Sequence, residues 1–170
     1  KRPTVDTHAP DILIAVYLDA STCTFYVDTS GEPLFKRGWR KSAGEAPIRE
    51  NLAAGILRLS KWTADTVLYD PMCGSGTFVI EAALMARRVA PGIGRHFAFE
   101  KLLSFDAQRL NDLRTELKAM EIPIKPGLIH AADDNAHAMT SIKANLTIAG
   151  SGDAVTLQQG DVLQLPAPAE

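Results

Sequence analysis

Apolar and polar positions first alternate in two short β-type runs. Residues 11–19 (DILIAVYLD) and 22–30 (TCTFYVDTS) are rich in β-branched and aromatic side chains and flank a turn, which predicts a hairpin. Gly31 and Pro33 then break the pattern. From Pro47 the spacing becomes helical: Ile48, Leu52, Ile56 and Leu59 recur on one face, and proline suits the first turn. Gly55 inside that helix costs about 1 kcal/mol of propensity against alanine, which points to close packing there.

Strands and helices alternate through the rest of the chain. TVLYD (66–70) reads as a strand, and TFVIEAALMARRVA (77–90) as a helix apolar around most of its circumference and therefore buried. DAQRLNDLRTELKAM (106–120) is the clearest amphipathic helix, with Leu110, Leu113, Leu117 and Met120 on one stripe, Asp106 as N-cap and Phe105 stapled to Leu110. GLIHAAD (127–133) gives a second strand, NAHAMTSIKANLTIAG (135–150) a helix closed by Gly150, and AVTLQQGD (154–161) a third strand. This order predicts an α/β fold with a parallel sheet and covering helices, preceded by the hairpin and first helix. The chain divides accordingly into a leading part, 1–61, and a core, 62–170.

In such sheets, ligands bind beyond the carboxyl ends of the strands. Asp70, Asp133 and Asp161 stand at or just after the ends of the three predicted strands, so three carboxylates converge on one crevice. Between the first strand and its helix lies DPMCGSGTF. Pro71 ends the ladder, Gly74 and Gly76 permit positive φ and close backbone approach to a ligand, and Thr77 is placed to cap the helix. The free amides of a helix start accept a small anion.

The ligand follows by comparison of chemistries. A phosphate loop of nucleotide triphosphatases needs a lysine after its last glycine, where this chain has Thr77. A dinucleotide fingerprint needs a third small residue, where Val79 stands, and an acid roughly 20 residues further on. NAD is the weaker fit. S-adenosylmethionine suits the crevice better: its carboxylate meets the Gly74–Thr77 amides, its ribose hydroxyls Asp133, its adenine amine Asp161 and its ammonium group Asp70.

Composition changes this picture little. The 170 residues are 46% hydrophobic and 22% charged with a net charge of −2, values of an ordinary globular protein. No apolar run reaches membrane-spanning length and no signal peptide is legible. Cys23 and Cys73 form no disulfide framework, and His8, His96, His130 and His137 show no metal spacing, so no metal site and a reducing, cytoplasmic setting are expected. With no histidine spaced to deprotonate it, Cys73 reads as a small packed residue rather than a nucleophile.

Charge is unevenly placed. Residues 1–101 hold 13 Lys/Arg against 11 Asp/Glu, and 102–170 hold 5 against 9. The densest basic piece contains Lys36, Arg37, Arg40 and Lys41 around Trp39. It reads either as an RNA contact, with the indole stacked on a base and the cations on phosphate, or as a solvated turn with Trp39 packed inward. The arginines of RRVAPGIGRHF (87–97) face RNA or merely end a polar helix.

DPMCGSGTFVIEAALMA, followed by APG and FAFEK, resembles the methyltransferase domain of THUMP-associated RNA methyltransferases, of the type that methylates guanine N2 in 23S ribosomal RNA. The stretch 28–57, with RGWR and APIREN, resembles the segment leading into that domain. The resemblance implies a Rossmann-like class I fold, S-adenosylmethionine as cofactor and RNA as partner. It further implies that Asp70, Pro71, Cys73, Gly74, Ser75, Gly76 and Thr77 form the first cofactor motif and that Asp133, with Asp134 beside it, holds the ribose. Asp161 would then lie near adenine, and Arg49 and Glu50 beside the methionine end.

The family's amine-methylating motif, Asn-Pro-Pro-Tyr, is expected after the Asp161 strand. It does not occur in this sequence, and neither does a recognisable THUMP module, so the catalytic residues are expected beyond Glu170. The expectation is a fragment that holds the cofactor and lacks the groups that orient a flipped guanine, inactive by itself. A non-catalytic binding module, or a tRNA or DNA methylase of the same fold, are the alternative readings.

Overall fold

The computed structural model describes residues 5–41 and 47–168. Glu170, past which the catalytic motif is expected, lies outside the described residues. Strands β1 (Ile14–Leu18) and β2 (Cys23–Val27) form the expected antiparallel hairpin, with Val16 opposite Phe25. Asp19 shapes its turn by accepting the Ser21 and Thr22 amides, each at 2.8 Å. Ile14, Val16, Tyr17, Leu18, Phe25, Tyr26 and Val27 are all at least half exposed, so the hairpin stands off the core.

Helix α1 (Glu50–Leu59) then packs on α2 (Thr77–Ala86). Its inner face is not the large-residue stripe expected from the sequence. Glu50, Ala53 and Leu57 are buried, while Leu52, Ile56 and Leu59 are exposed. Ala53, with no exposed surface, lets the two helices approach closely, and buried Glu50 is drawn inward by an arginine described below. Gly55 has open space where a Cβ would sit, so close packing does not explain it.

Strands β3 (Leu68–Asp70), β4 (Ile129–Asp133) and β5 (Val155–Gln159) form a parallel sheet in the order β3-β4-β5. Asp70 pairs with Ala131 and Asp133 with Gln159, so the strands end side by side. Helix α2, buried almost all round, and the helix Ala136–Ile148, which becomes α4 in chain order, cover the sheet. Val79, Ile80, Ile129, Ala131, Ile142 and Leu146 form the core, joined by Trp39 and Leu57. This is the α/β architecture of a Rossmann-like half sheet.

Helix α3 (Ala107–Ala119) is capped as expected, Asp106 accepting the Arg109 amide at 3.0 Å. Its apolar stripe is only partly covered: no α3 residue is buried, and Leu113 and the adjoining Met120 are exposed. Before it, a 3-10 turn (Ala98–Lys101) brings Phe97 and Phe99 into a stack, and the Phe99 amide donates to the Thr29 carbonyl at 3.0 Å. Arg87 donates to the Gly150 carbonyl, and Arg95 donates to the carbonyls of Ser30, Glu32 and Pro33. Two of the three arginines in 87–97 therefore fasten neighbouring segments together.

Candidate cofactor site

The site begins where β3 ends. Asp70 is the last residue of β3, and the chain turns at once through Pro71 and Met72. The Cys73 amide donates to the Ala132 carbonyl at 3.0 Å, tying the turn to the neighbouring strand. Asp133 completes the tie: Oδ2 accepts the Gly74 amide at 2.8 Å, and Oδ1 accepts the Asn135 amide at 3.0 Å. Each oxygen keeps a further lone pair for a ligand. Asp134, exposed beside it, has no hydrogen-bond partner among the described residues.

The two glycines serve different purposes. Both have positive φ, +53° at Gly74 and +87° at Gly76. A Cβ at Gly74 would meet nothing within 4 Å, so its left-handed backbone rather than packing calls for glycine there. A Cβ at Gly76 would lie 2.5 Å from Ile142 Cγ1. The second glycine thus makes room for α4 rather than for a ligand. Gly76 is itself the N-cap of α2, so Thr77 is the first helical residue and does not cap the helix as expected. The Gly76 amide donates to the Cys73 carbonyl at 2.8 Å, whereas the Ser75 and Thr77 amides have no acceptor among the described residues.

A cavity of about 260 Å³ opens over the strand ends, lined by Pro71, Met72, Asp133, Asp134, Gly160, Asp161 and Val162. Asp161 sits two residues beyond β5. Its Oδ1 accepts the Leu163 amide at 3.0 Å, which turns the chain at the cavity edge. Three of the four strand-end acids therefore share one cavity. Asp70, expected from the sequence to share the crevice, does not line the cavity. It is half-buried, and burial pushes its carboxyl above the ordinary 3.8, with the nearby Asp133 charge adding to the rise. A cation between these carboxylates would offset that repulsion. Burial, aided by Asp70 and Asp133, also pushes the Cys73 thiol up to about 12, so it stays protonated.

The basic segment 36–41 lies elsewhere, and mostly inward. Trp39 is 4% exposed, and its buried indole nitrogen meets no hydrogen-bond geometry among the described residues but lies close enough to help hold the Glu81 carboxylate charged. Arg37 pairs with Glu81 on α2, Nη2 to Oε2 at 3.3 Å. Glu81 itself is pushed up by burial, a rise that Arg37 opposes. Arg40 donates to Glu50, Ser75, Thr77 and the Ile48 carbonyl. Lys36 remains on the surface beside Glu32. Of the two readings of this segment, Trp39 follows the inward one, its base-stacking face covered, while Arg37 and Arg40 are engaged in internal pairs because each meets a buried carboxylate. Arg49 is exposed and lies over the Phe35 ring, 4.9 Å from its centroid, while Glu50 faces Arg40.

Asn145 escaped the sequence reading. Fully buried on α4, it donates from Nδ2 to the Ser75 carbonyl at 3.1 Å, and its Oδ1 accepts the Lys41 amide at 3.2 Å. The available signal was an amide between Ile142 and Leu146 on the apolar stripe of α4, where a polar residue needs a partner. Among the described residues, no cluster of three or more His, Cys, Asp or Glu could hold a metal ion, and no helix is long and apolar enough to cross a membrane.

A parallel half sheet whose strand-end acids meet a glycine turn defines a Rossmann-like methyltransferase domain. The crevice fits S-adenosylmethionine, the methyl donor of such a domain, because its carboxylates can accept from hydroxyls and an amine and attract a cation. More particularly, residues 37–170 match the family described as "RMKL-like, methyltransferase domain", and the chain belongs to that family.

Solved structures agree in fold. A predicted N6-adenine-specific DNA methylase from Listeria monocytogenes is 36% identical with a TM-score of 0.82, covering 92% of this chain and 41% of that one. SMU.472, named a methyltransferase and complexed with SAH, is 34% identical at a TM-score of 0.82, over 95% and 42% of the two chains. A protein of Clostridium difficile, named a possible methylase, is 36% identical at 0.84, over 94% and 42%. The present chain thus spans about two fifths of the length of each.

Proposed function

We propose that this chain is the cofactor-holding part of a cytoplasmic, THUMP-associated RNA methyltransferase that methylates the exocyclic N2 of guanine in 23S ribosomal RNA. The observation that carries the proposal is the cavity lined by Asp133, Asp134 and Asp161 over the strand ends, with Asp133 also tying down the glycine turn through the Gly74 amide.

S-adenosylmethionine supplies an electrophilic methyl on a sulfonium. The chain's own residues hold the rest of that molecule. The open Ser75 and Thr77 amides suit its carboxylate, Asp70 and Asp133 its ammonium group, Asp133 or Asp134 the ribose, and Asp161 the adenine amine. The sequence to Glu170 contains no Asn-Pro-Pro-Tyr, and the acceptor-orienting groups are proposed to come from other parts of a longer enzyme. The name of the Listeria neighbour supports a second reading, N6 of adenine in DNA. Both acceptors are exocyclic amines that must leave the base stack to react.

One assay separates the readings. The intact enzyme is incubated with labelled S-adenosylmethionine and either unmodified 23S ribosomal RNA or DNA, and the product nucleosides are resolved. N2-methylguanosine is expected. N6-methyladenine in DNA supports the second reading, and no transfer to either polymer overturns both. With Asp133→Asn, binding of S-adenosylhomocysteine should weaken about tenfold or more, as expected when a charged hydrogen-bond acceptor is lost.

A further inference from the structure

Arg40 lies in a basic segment, yet its side chain is only 15% exposed, and its guanidinium is spent inside the molecule. Nε donates to Glu50 Oε1 at 2.8 Å and Nη1 to Ser75 Oγ at 3.0 Å. Nη2 donates to Thr77 Oγ1 at 2.8 Å and to the Ile48 carbonyl at 3.1 Å. The group also lies 5.0 Å from the centroid of the Trp39 ring. Each of its three nitrogens is committed.

Ser75 and Thr77 flank Gly76, and their amides are the two left open in the turn. Ser75 is gripped from both ends, by Arg40 at the hydroxyl and by Asn145 at the carbonyl. Its peptide planes can then rotate little, which fixes where the two open amides point. Gly76, in a conformation that glycine visits freely, would otherwise allow the turn several shapes. Holding one shape in advance removes an ordering cost from ligand binding.

We infer that Arg40 is a positioning residue for the cofactor turn: by holding the Ser75 and Thr77 hydroxyls on either side of Gly76, it sets the affinity for S-adenosylmethionine without touching it. This rests on the S-adenosylmethionine reading of the crevice. It also separates Arg40 from any direct role at the nucleic acid. A lysine cannot reproduce the contact, because one ammonium cannot span a carboxylate, two hydroxyls and a carbonyl set around a planar fork.

The test is a double-mutant cycle on the intact protein, read as the Kd for S-adenosylhomocysteine by calorimetry well below the unfolding midpoint. Arg40→Lys is expected to raise Kd about tenfold, Ser75→Ala to raise it by less, and the double variant to bind no worse than Arg40→Lys alone, since the shared contact is already lost. Arg40→Met should bind more weakly than Arg40→Lys. Losses that simply multiply, or Arg40→Lys binding within twofold of the parent, overturn the inference. Should Arg40→Lys fail to fold, Ser75→Ala and Thr77→Ala, which keep the Arg40–Glu50 pair, carry the test. Parental affinity in both overturns the inference, and weakening in each supports it. A parent that binds no S-adenosylhomocysteine sinks the cofactor reading itself, whereas a binding parent with an equally binding Arg40→Lys sinks only the role of Arg40.

Discussion

Burial decides what each charged residue does here. Arg37 reads as a surface cation in sequence, but its side chain is 13% exposed and faces Glu81, which is 4% exposed. Removing one member of such a pair leaves a buried charge uncompensated, at a cost of about 3–5 kcal/mol. Arg37→Ala should therefore lower the stability of the domain by an amount of that order, measured by chemical denaturation. Adding Glu81→Met to it should restore much of the loss, because no charge is then stranded. Loss of RNA affinity with unchanged stability would return Arg37 to the surface role. The same logic explains why Cys73 is inert: a thiol pushed up to about 12 beside two carboxylates supplies no thiolate near neutral pH. That Asp133 and Asp161 share the crevice was legible in the residues themselves, from their place after β-type runs, whereas Asp70, placed by the same rule, does not line it. An inward Trp39 was one of the two readings the sequence offered. That Arg37 and Arg40 turn inward with it was not legible, since a basic cluster carries no local mark of the buried carboxylates it meets.

At the scale of elements, the turn between β3 and α2 is shaped by its neighbours as much as by its own residues. Gly74→Ala meets open space and carries only the cost of a left-handed backbone, about 1–2 kcal/mol. Gly76→Ala adds a clash with Ile142, and the total should reach about 3 kcal/mol or more. Denaturant midpoints of the two variants check the order; equal losses would show that α4 yields to the new methyl group. Adding Ile142→Ala to Gly76→Ala should recover the packing part and leave the backbone part. Alternation and turn residues identified the strands and helices, and the sequence placed Asp106 and Gly150 at their ends correctly. It chose the wrong face of α1. Periodicity marks where large apolar residues recur, and a helix that packs closely on another does so through small ones such as Ala53.

For the molecule as a whole, ligand and pH are linked through Asp70. Ligand at about a hundred times its Kd adds about 2.7 kcal/mol of stability, since only the folded chain binds. For a domain of this size the unfolding midpoint should rise by roughly 5–10 °C with S-adenosylhomocysteine. The carboxyl of Asp70 is raised by burial, so its charge opposes folding, and this penalty disappears as pH falls through the raised value. A bound ammonium group favours the charged form instead. Affinity should accordingly fall as pH drops through the raised value of the free protein, and Asp70→Asn should flatten that fall. A pH-independent midpoint shift in the parent would remove Asp70 from the site.

By itself the sequence determined the α/β order of elements, the acids at the strand ends and the glycine turn between β3 and α2, because these depend on period, turn chemistry and residues near in the chain. Only the tertiary structure decided that Gly76 yields space to Ile142, that Asn145 and Arg40 grip the turn from either side, and that Arg37 and Arg40 turn inward. Those contacts join residues 35 to 104 positions apart, and their partners were selected by the packing of α1, α2 and α4 rather than by anything adjacent along the chain.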